Sequence, residues 1–168
     1  SGMNGSGKTY IGRLLENAGY GFIDADTEIT VIYDSVEDRI ISHSELPREK
    51  NNDYFYRYKW VWDENKFLNK VQCRPSKVVF VSGASSNSYK FLDYFKKKFI
   101  LYAPFEVIQH RLVRRDGARW ASQGTHYGQL VKRYEAMMKA VQEAEGKVVA
   151  INTDDSVESI LRSIFKNI

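Results

Sequence analysis

The sequence is short of the residues that staple a chain or carry it into a membrane. One cysteine, Cys73, leaves no internal disulfide to form and fits a reducing compartment. Its default role is that of a small packed side chain rather than a reactive thiol. Apolar runs stay at strand length, as in Val78-Val79-Phe80-Val81, far below the ~20 residues of a membrane-spanning helix. No leader-like segment is visible, so the expected location is the cytoplasm and no membrane partner is expected. Repeats, low-complexity tracts and linkers are also missing, which implies one domain over residues 1–168. Neither sign of charge dominates: 25 Lys and Arg against 21 Asp and Glu give a net +4, spread along the chain. That balance does not call for a nucleic-acid partner.

What the chain does have begins at its start. Gly2-Met3-Asn4-Gly5-Ser6-Gly7-Lys8-Thr9 fills every fixed position of G-x-x-x-x-G-K-[ST]. Glycines at 2, 5 and 7 permit positive φ and close backbone approach, so that successive N–H groups form a nest for a polyphosphate. An amphipathic stretch from Tyr10 to Ala18, closed by Gly19, adds the positive end of a helix dipole. Lys8 is placed to reach β- and γ-phosphate oxygens, and the Thr9 hydroxyl to ligate the accompanying Mg²⁺. ATP with Mg²⁺ is the expected cofactor, held by Gly2, Asn4, Gly5, Ser6, Gly7, Lys8, Thr9 and Tyr10. Such a loop follows a buried strand, and only Ser1 stands before it, so a first strand is expected to precede Ser1 in the natural protein.

Further along, Gly21 to Asp26 reads as a buried strand ending in two carboxylates, Asp24 and Asp26, at the strand end where ligands collect in open α/β sheets. Ser35 is a candidate cap for a helix through Val36, Ile40 and Ile41, and Ser44 to Asn52 reads as loop. The aromatic stretch Tyr54 to Trp62 has helical spacing that continues to Leu68, serving either core packing or an acceptor-site wall. Lys77 to Ser82 is a strand, Gly83 to Ser88 a small polar loop, and Tyr89 to Lys98 a helix. Phe99 to Tyr102 is the next strand and Phe105 to Arg115 the next helix. Residues 116–128, with three glycines and flanking basic residues, read as a flap or as a plain surface loop. A helix ending near Gly146, a strand Val148 to Ile151, a turn Asn152 to Asp155 and a helix Ser156 to Lys166 complete the chain. Strands separated by helices imply a parallel sheet covered on both faces.

With these features placed, the chain resembles the small P-loop kinases: shikimate kinases, gluconate kinases and nucleoside monophosphate kinases. The resemblance implies a three-layer α/β/α fold with a five-stranded parallel sheet of order 2-3-1-4-5, and a flap closing over the phosphates. Asp24-Ala25-Asp26 is similar to the D-x-D of shikimate kinases, where one carboxylate helps hold Mg²⁺ and the other takes an acceptor hydroxyl. Gly83 is similar to that family's glycine-rich acceptor loop, although Ser82-Gly83-Ala84 replaces three glycines. His110-Arg111-Leu112-x-x-Arg115 resembles the entry to the flap, and Val131-Lys132-Arg133-Tyr134 the segment after it. Asp154 lies in the turn that runs around the adenine in these kinases.

The implied chemistry is phosphoryl transfer, which needs alignment and charge compensation more than covalent help. Lys8, Arg115 and Arg133 are the expected charge-compensating groups, Arg111 and Asp154 further nucleotide contacts, and Asp24 with Thr9 the metal side. Asp24 or Asp26 orients an acceptor hydroxyl; alternatively the pair is a helix cap and a solvated carboxylate. For a phosphate acceptor, Arg57 or Arg133 is the expected bidentate contact, and residues 34–70 are the expected acceptor region. The acceptor class stays open between a nucleoside monophosphate and a hydroxylated metabolite. Rival readings are a kinase for a polynucleotide 5′-hydroxyl or a nucleotide-sugar, and a nucleotide-binding module with little catalysis. No N-K-x-D occurs, against a GTPase switch.

Overall fold

The computed structural model of the protein describes residues 1–49, 53–143 and 148–168. In chain order the elements are α1 (Lys8–Asn17), β1 (Gly21–Asp24), α2 (Ala25–Glu28), β2 (Thr30–Asp34), β3 (Arg39–Ile41), α3 (Tyr54–Arg57), β4 (Tyr58–Trp62) and α4 (Glu64–Gln72). They continue with β5 (Val79–Ser82), β6 (Phe99–Tyr102), α5 (Phe105–Asp116), α6 (Tyr127–Glu143), β7 (Val149–Asn152) and α7 (Val157–Phe165). These gather into two compact units: Ser1–Ile11 with Phe95–Ile168, and Gly12–Tyr94.

In the first unit β6 and β7 run parallel, with Phe99 opposite Val149 and Tyr102 opposite Asn152. Alternate backbone groups of a strand face opposite neighbours. The carbonyls of Lys98 and Tyr102 accept from Val149 and Thr153, whereas the Phe99 carbonyl and the Leu101 N–H bond to Ser1. Ser1 therefore lies along the edge of β6 that β7 leaves open. Apolar positions four and seven apart on α5 and α6 bury Ile108, Leu112, Leu130 and Met137 in one cluster with Ala103 and Trp120. Trp120 belongs to the 116–128 segment, where a 3₁₀ turn spans Ala118–Trp120. The Trp120 indole of that segment is buried, while Ala118, Arg119, Ser122, Gln123 and Thr125 beside it are exposed.

In the second unit β1 and β5 run parallel, Gly21 opposite Val79 and Asp24 opposite Ser82. Gly12 on α1 is dictated by packing, since a Cβ there would stand 2.1 Å from Cζ of Phe22. The segment 30–62 departs from expectation. β2, β3 and β4 form an antiparallel sheet in the order β3-β2-β4, pairing Tyr33 with Ile40 on one side and Lys59 on the other. The helix expected after Ser35 is instead the tip of the β2–β3 hairpin. Asp38 takes φ 52° there, a conformation Asp tolerates better than most side chains. The aromatic helix shrinks to the single turn of α3, after which the chain extends into β4. Cross-strand pairs Val31–Val61 and Ile32–Trp60 reward extended backbone for β-branched and aromatic residues, and this outweighs the helical spacing. Tyr89 to Lys98 is likewise no α-helix but a 3₁₀ run over Ser88–Tyr94.

The described strands form three sheets, β1–β5 and β6–β7 each a parallel pair and β3-β2-β4 antiparallel. The expected helix end near Gly146 and the last residues of the 44–52 loop lie outside the described residues.

Candidate functional site

The phosphate-type loop is built by close packing that only glycine permits. A Cβ on Gly2, at φ 155°, would stand 2.5 Å from the Leu101 carbonyl oxygen and from Ser6 Oγ. Gly5, at φ 83°, sits over Ile108 and Leu112, where a Cβ would be 3.1 Å from side-chain carbons. Gly7, at φ 84°, lies against Thr153. The Ser6 N–H bonds to the Met3 carbonyl, and Ile11 to Gly7 opens the helical pattern of α1. Lys8 Nζ donates to the carbonyls of Gly2 (2.8 Å) and Met3 (3.0 Å), so the ammonium is folded across the start of the loop. Asn4, Thr9 and Tyr10 are exposed. Ser6 is fully buried and its Oγ has no hydrogen-bond partner. A backbone cradle in which side chains would not fit, an orphaned hydroxyl and a lysine at the mouth together fit a polyphosphate.

Arg111 of α5 makes three bonds inside this unit. Nη1 donates to Thr153 Oγ1 at 3.0 Å and to the Gly5 carbonyl at 3.3 Å, and Nη2 donates to the Thr153 carbonyl at 2.8 Å. Thr153 is itself buried, its hydroxyl and N–H both donating to the Tyr102 carbonyl. Asp154 is exposed in an Asx turn, its N–H donating to Asn152 Oδ1. Arg115 is paired with its neighbour Asp116 through two bonds of 2.8 and 2.6 Å, which lowers the Asp116 pKa and raises that of Arg115. Arg133 is exposed on α6. The structure therefore joins Arg111 to the loop and to the turn after β7, and gives Arg115 a local carboxylate.

In the second unit, Asp24 ends β1 and caps α2, its Oδ1 accepting from the Asp26 N–H at 3.2 Å. The capping alternative raised from the sequence thus describes Asp24. Asp26 is exposed, and Gly83, at φ 147°, leaves room for it: a Cβ there would be 2.9 Å from Asp26 Oδ1 and 2.8 Å from Ala25 Cβ. The rest of that loop is bonded to β4. Asn87 accepts from and donates to the backbone of Trp62, and Ser86 bonds to the Trp60 carbonyl.

Arg57, the expected acceptor contact, is engaged with Asp34. Nε and Nη2 reach its carboxylate at 2.6–3.0 Å, and Nη2 also reaches Glu37. The Arg57 hydrogen bonds, helped by the N–H groups of Val36 and Glu37 against the cost of burial, hold the Asp34 carboxyl down at about 2. A groove of about 670 Å³ opens beside this pair, lined by Ser35, Val36, Pro47, Tyr54, Tyr56 and Tyr58 among others. Sequence reasoning placed Thr153 only within the turn after the last strand and Asp34 only at the start of the acceptor region, without a role of its own for either. Both act through tertiary partners distant in the chain, which no local pattern announces.

A glycine-cradled loop opening a helix beside parallel strands defines the P-loop class of nucleotide-binding α/β proteins. A shikimate kinase family model matches residues 4–168, and the chain belongs to that family. Its members are ATP-dependent kinases of small molecules, working with Mg²⁺. Among solved structures, the crystal structure of TT1252 from Thermus thermophilus matches over 98% of this chain and 92% of its own, with a TM-score of 0.61 at 14% identity. That likeness concerns the fold. No curated protein matches. Among the described residues no helix is long and apolar enough to cross a membrane, and no three His, Cys, Asp or Glu residues gather around a metal position. An Mg²⁺ held by one hydroxyl, substrate phosphates and waters needs no such cluster.

Proposed function

We propose that the chain is a single kinase domain that transfers the γ-phosphate of Mg·ATP to a small hydroxylated metabolite or a nucleoside monophosphate. The observation that carries this reading is the loop 2–9, where glycine packing, the buried Ser6 hydroxyl and Lys8 together suit a triphosphate. Backbone N–H groups of residues 5–9 hold the donor phosphates, and Lys8 leaves the Gly2 and Met3 carbonyls to neutralise them. Thr9 and Asp24 are the residues assigned to Mg²⁺, which supplies charge compensation on the phosphate oxygens when bound. Asp26, packed against Gly83, orients the acceptor hydroxyl, and Arg115 and Arg133 meet charge on the transferring group.

A second reading, a nucleotide-binding module with slow or no transfer, is favoured by one set of contacts. Asp24 caps α2, Arg115 pairs with Asp116 and Arg57 pairs with Asp34, so several groups with assigned roles already have partners. The test is ADP release from Mg·ATP with and without pooled nucleoside monophosphates, deoxynucleotides and hydroxylated metabolites, beside Lys8→Ala. Stimulation by one pool, lost in the variant, supports transfer and names the acceptor class. Binding of ATP with no pool raising turnover favours the module.

A further inference from the structure

We infer that Arg111 is a positioning residue that locks the phosphate loop to the turn after β7, rather than a group that touches the phosphates. The inference rests on the nucleotide reading of residues 2–9 and goes beyond it.

The guanidinium spans two segments far apart in sequence. Nη1 meets the Gly5 carbonyl and the Thr153 hydroxyl, and Nη2 meets the Thr153 carbonyl. Thr153 relays the link, because its hydroxyl donates to the Tyr102 carbonyl at the end of β6 while accepting from Arg111. Gly7 packs on the same threonine, with an added Cβ 3.6 Å from Thr153 Cβ and Oγ1. Loop, strand end and turn are thereby fixed through one planar group. A planar fork can serve two acceptors at fixed spacing, whereas an ammonium acts as a point charge. With the Gly5 carbonyl held, the loop is arranged before ligand arrives, which lowers the ordering cost of binding.

This role predicts a pattern that direct phosphate contact does not. Arg111→Met should weaken ATP and ADP to the same extent, roughly tenfold each as for lost bonds to a charged group, leaving their affinity ratio unchanged. Arg111→Lys should fail to rescue, because it keeps the charge and loses the fork. Thr153→Val should reproduce the loss, Thr153→Ser should not, and the Arg111→Met/Thr153→Val double variant should be no worse than either single one. Hydrogen exchange of residues 2–11 in the ligand-free protein, faster in Arg111→Met and Thr153→Val, reads the brace without nucleotide.

Weakening of ATP alone, or rescue by lysine, would make Arg111 a phosphate ligand and overturn the proposal. Unchanged exchange in both variants would overturn it as well. If the wild-type chain binds neither ATP nor ADP, the donor reading fails, and the exchange measurement still decides the brace.

Discussion

In the loop of residues 2–9 the groups offered to a ligand belong mainly to the main chain, and side chains serve to press glycines into place. The segment 30–62 is built the other way. There the charge is on side chains, and Arg57 is committed to Asp34 and Glu37, Arg39 to Glu37 and Glu45. A cradle of N–H dipoles costs little to leave empty, since each peptide stays neutral. A buried carboxylate such as Asp34 must keep its partner, because an uncompensated charge in that position is strongly destabilising. The first region is thus poised for a ligand, and the second uses its charge to hold a hairpin.

The largest expected effect breaks the first half of that contrast. Lys8→Ala should lower ATP turnover by about 100-fold or more, as losing a preorganised charge-stabilising group does, with the melting temperature unchanged; ADP release and a thermal melt check both. Next, Arg57→Met should lower the melting temperature more than the Arg57→Met/Asp34→Asn double variant. The single change strands the buried carboxylate, and the double change removes it. Equal melting temperatures would show that the pair does not hold the hairpin.

A pH titration sharpens the same point. Asp34 and Glu45 both sit at about 2 in the folded protein, Glu45 chiefly through the Ser42 N–H and then Arg39. Their folded pKa values lie below those of the unfolded chain, at about 4. The stability they contribute is therefore present above about pH 4 and is lost as pH falls towards 2. Asp34→Asn should flatten the acid limb of a stability curve measured by urea unfolding. The smallest effect belongs to Ile40, 55% exposed on the edge strand β3. Ile40→Thr should leave stability within about 0.5 kcal/mol, by the same unfolding measurement.

The legibility of the chain follows the same division. Gly2, Gly5, Gly7, Lys8 and Thr9 carry their chemistry within eight residues, so the sequence alone indicates the loop, its helix and the class of ligand. The strands at 21–24, 79–82, 99–102 and 149–152 are short apolar runs between turn signals and were equally readable. The hairpin was not. Thr30-Val31-Ile32-Tyr33 is rich in strand formers, but its partners start near Arg39 and Tyr58, and its turn uses Asp38 where a glycine or asparagine would have given notice. Tyr54 to Trp62 satisfied a helical period by the placement of its aromatics, and only pairing with Thr30–Asp34 decides otherwise. Arg111 was expected near nucleotide from its place at the entry to the 116–128 segment, but its bonds to Gly5 and Thr153, 106 and 42 residues away in sequence, were not legible.

The placement of the tryptophans has a spectroscopic consequence. Trp120 lies in the cluster around Ile108 and Leu112, whereas Trp60 and Trp62 are on β4. Each compact unit therefore carries its own fluorophore. A chain with both β4 tryptophans changed to phenylalanine has its tryptophan emission from the loop-bearing unit alone, so that nucleotide titrations and unfolding can be followed there under excitation selective for tryptophan.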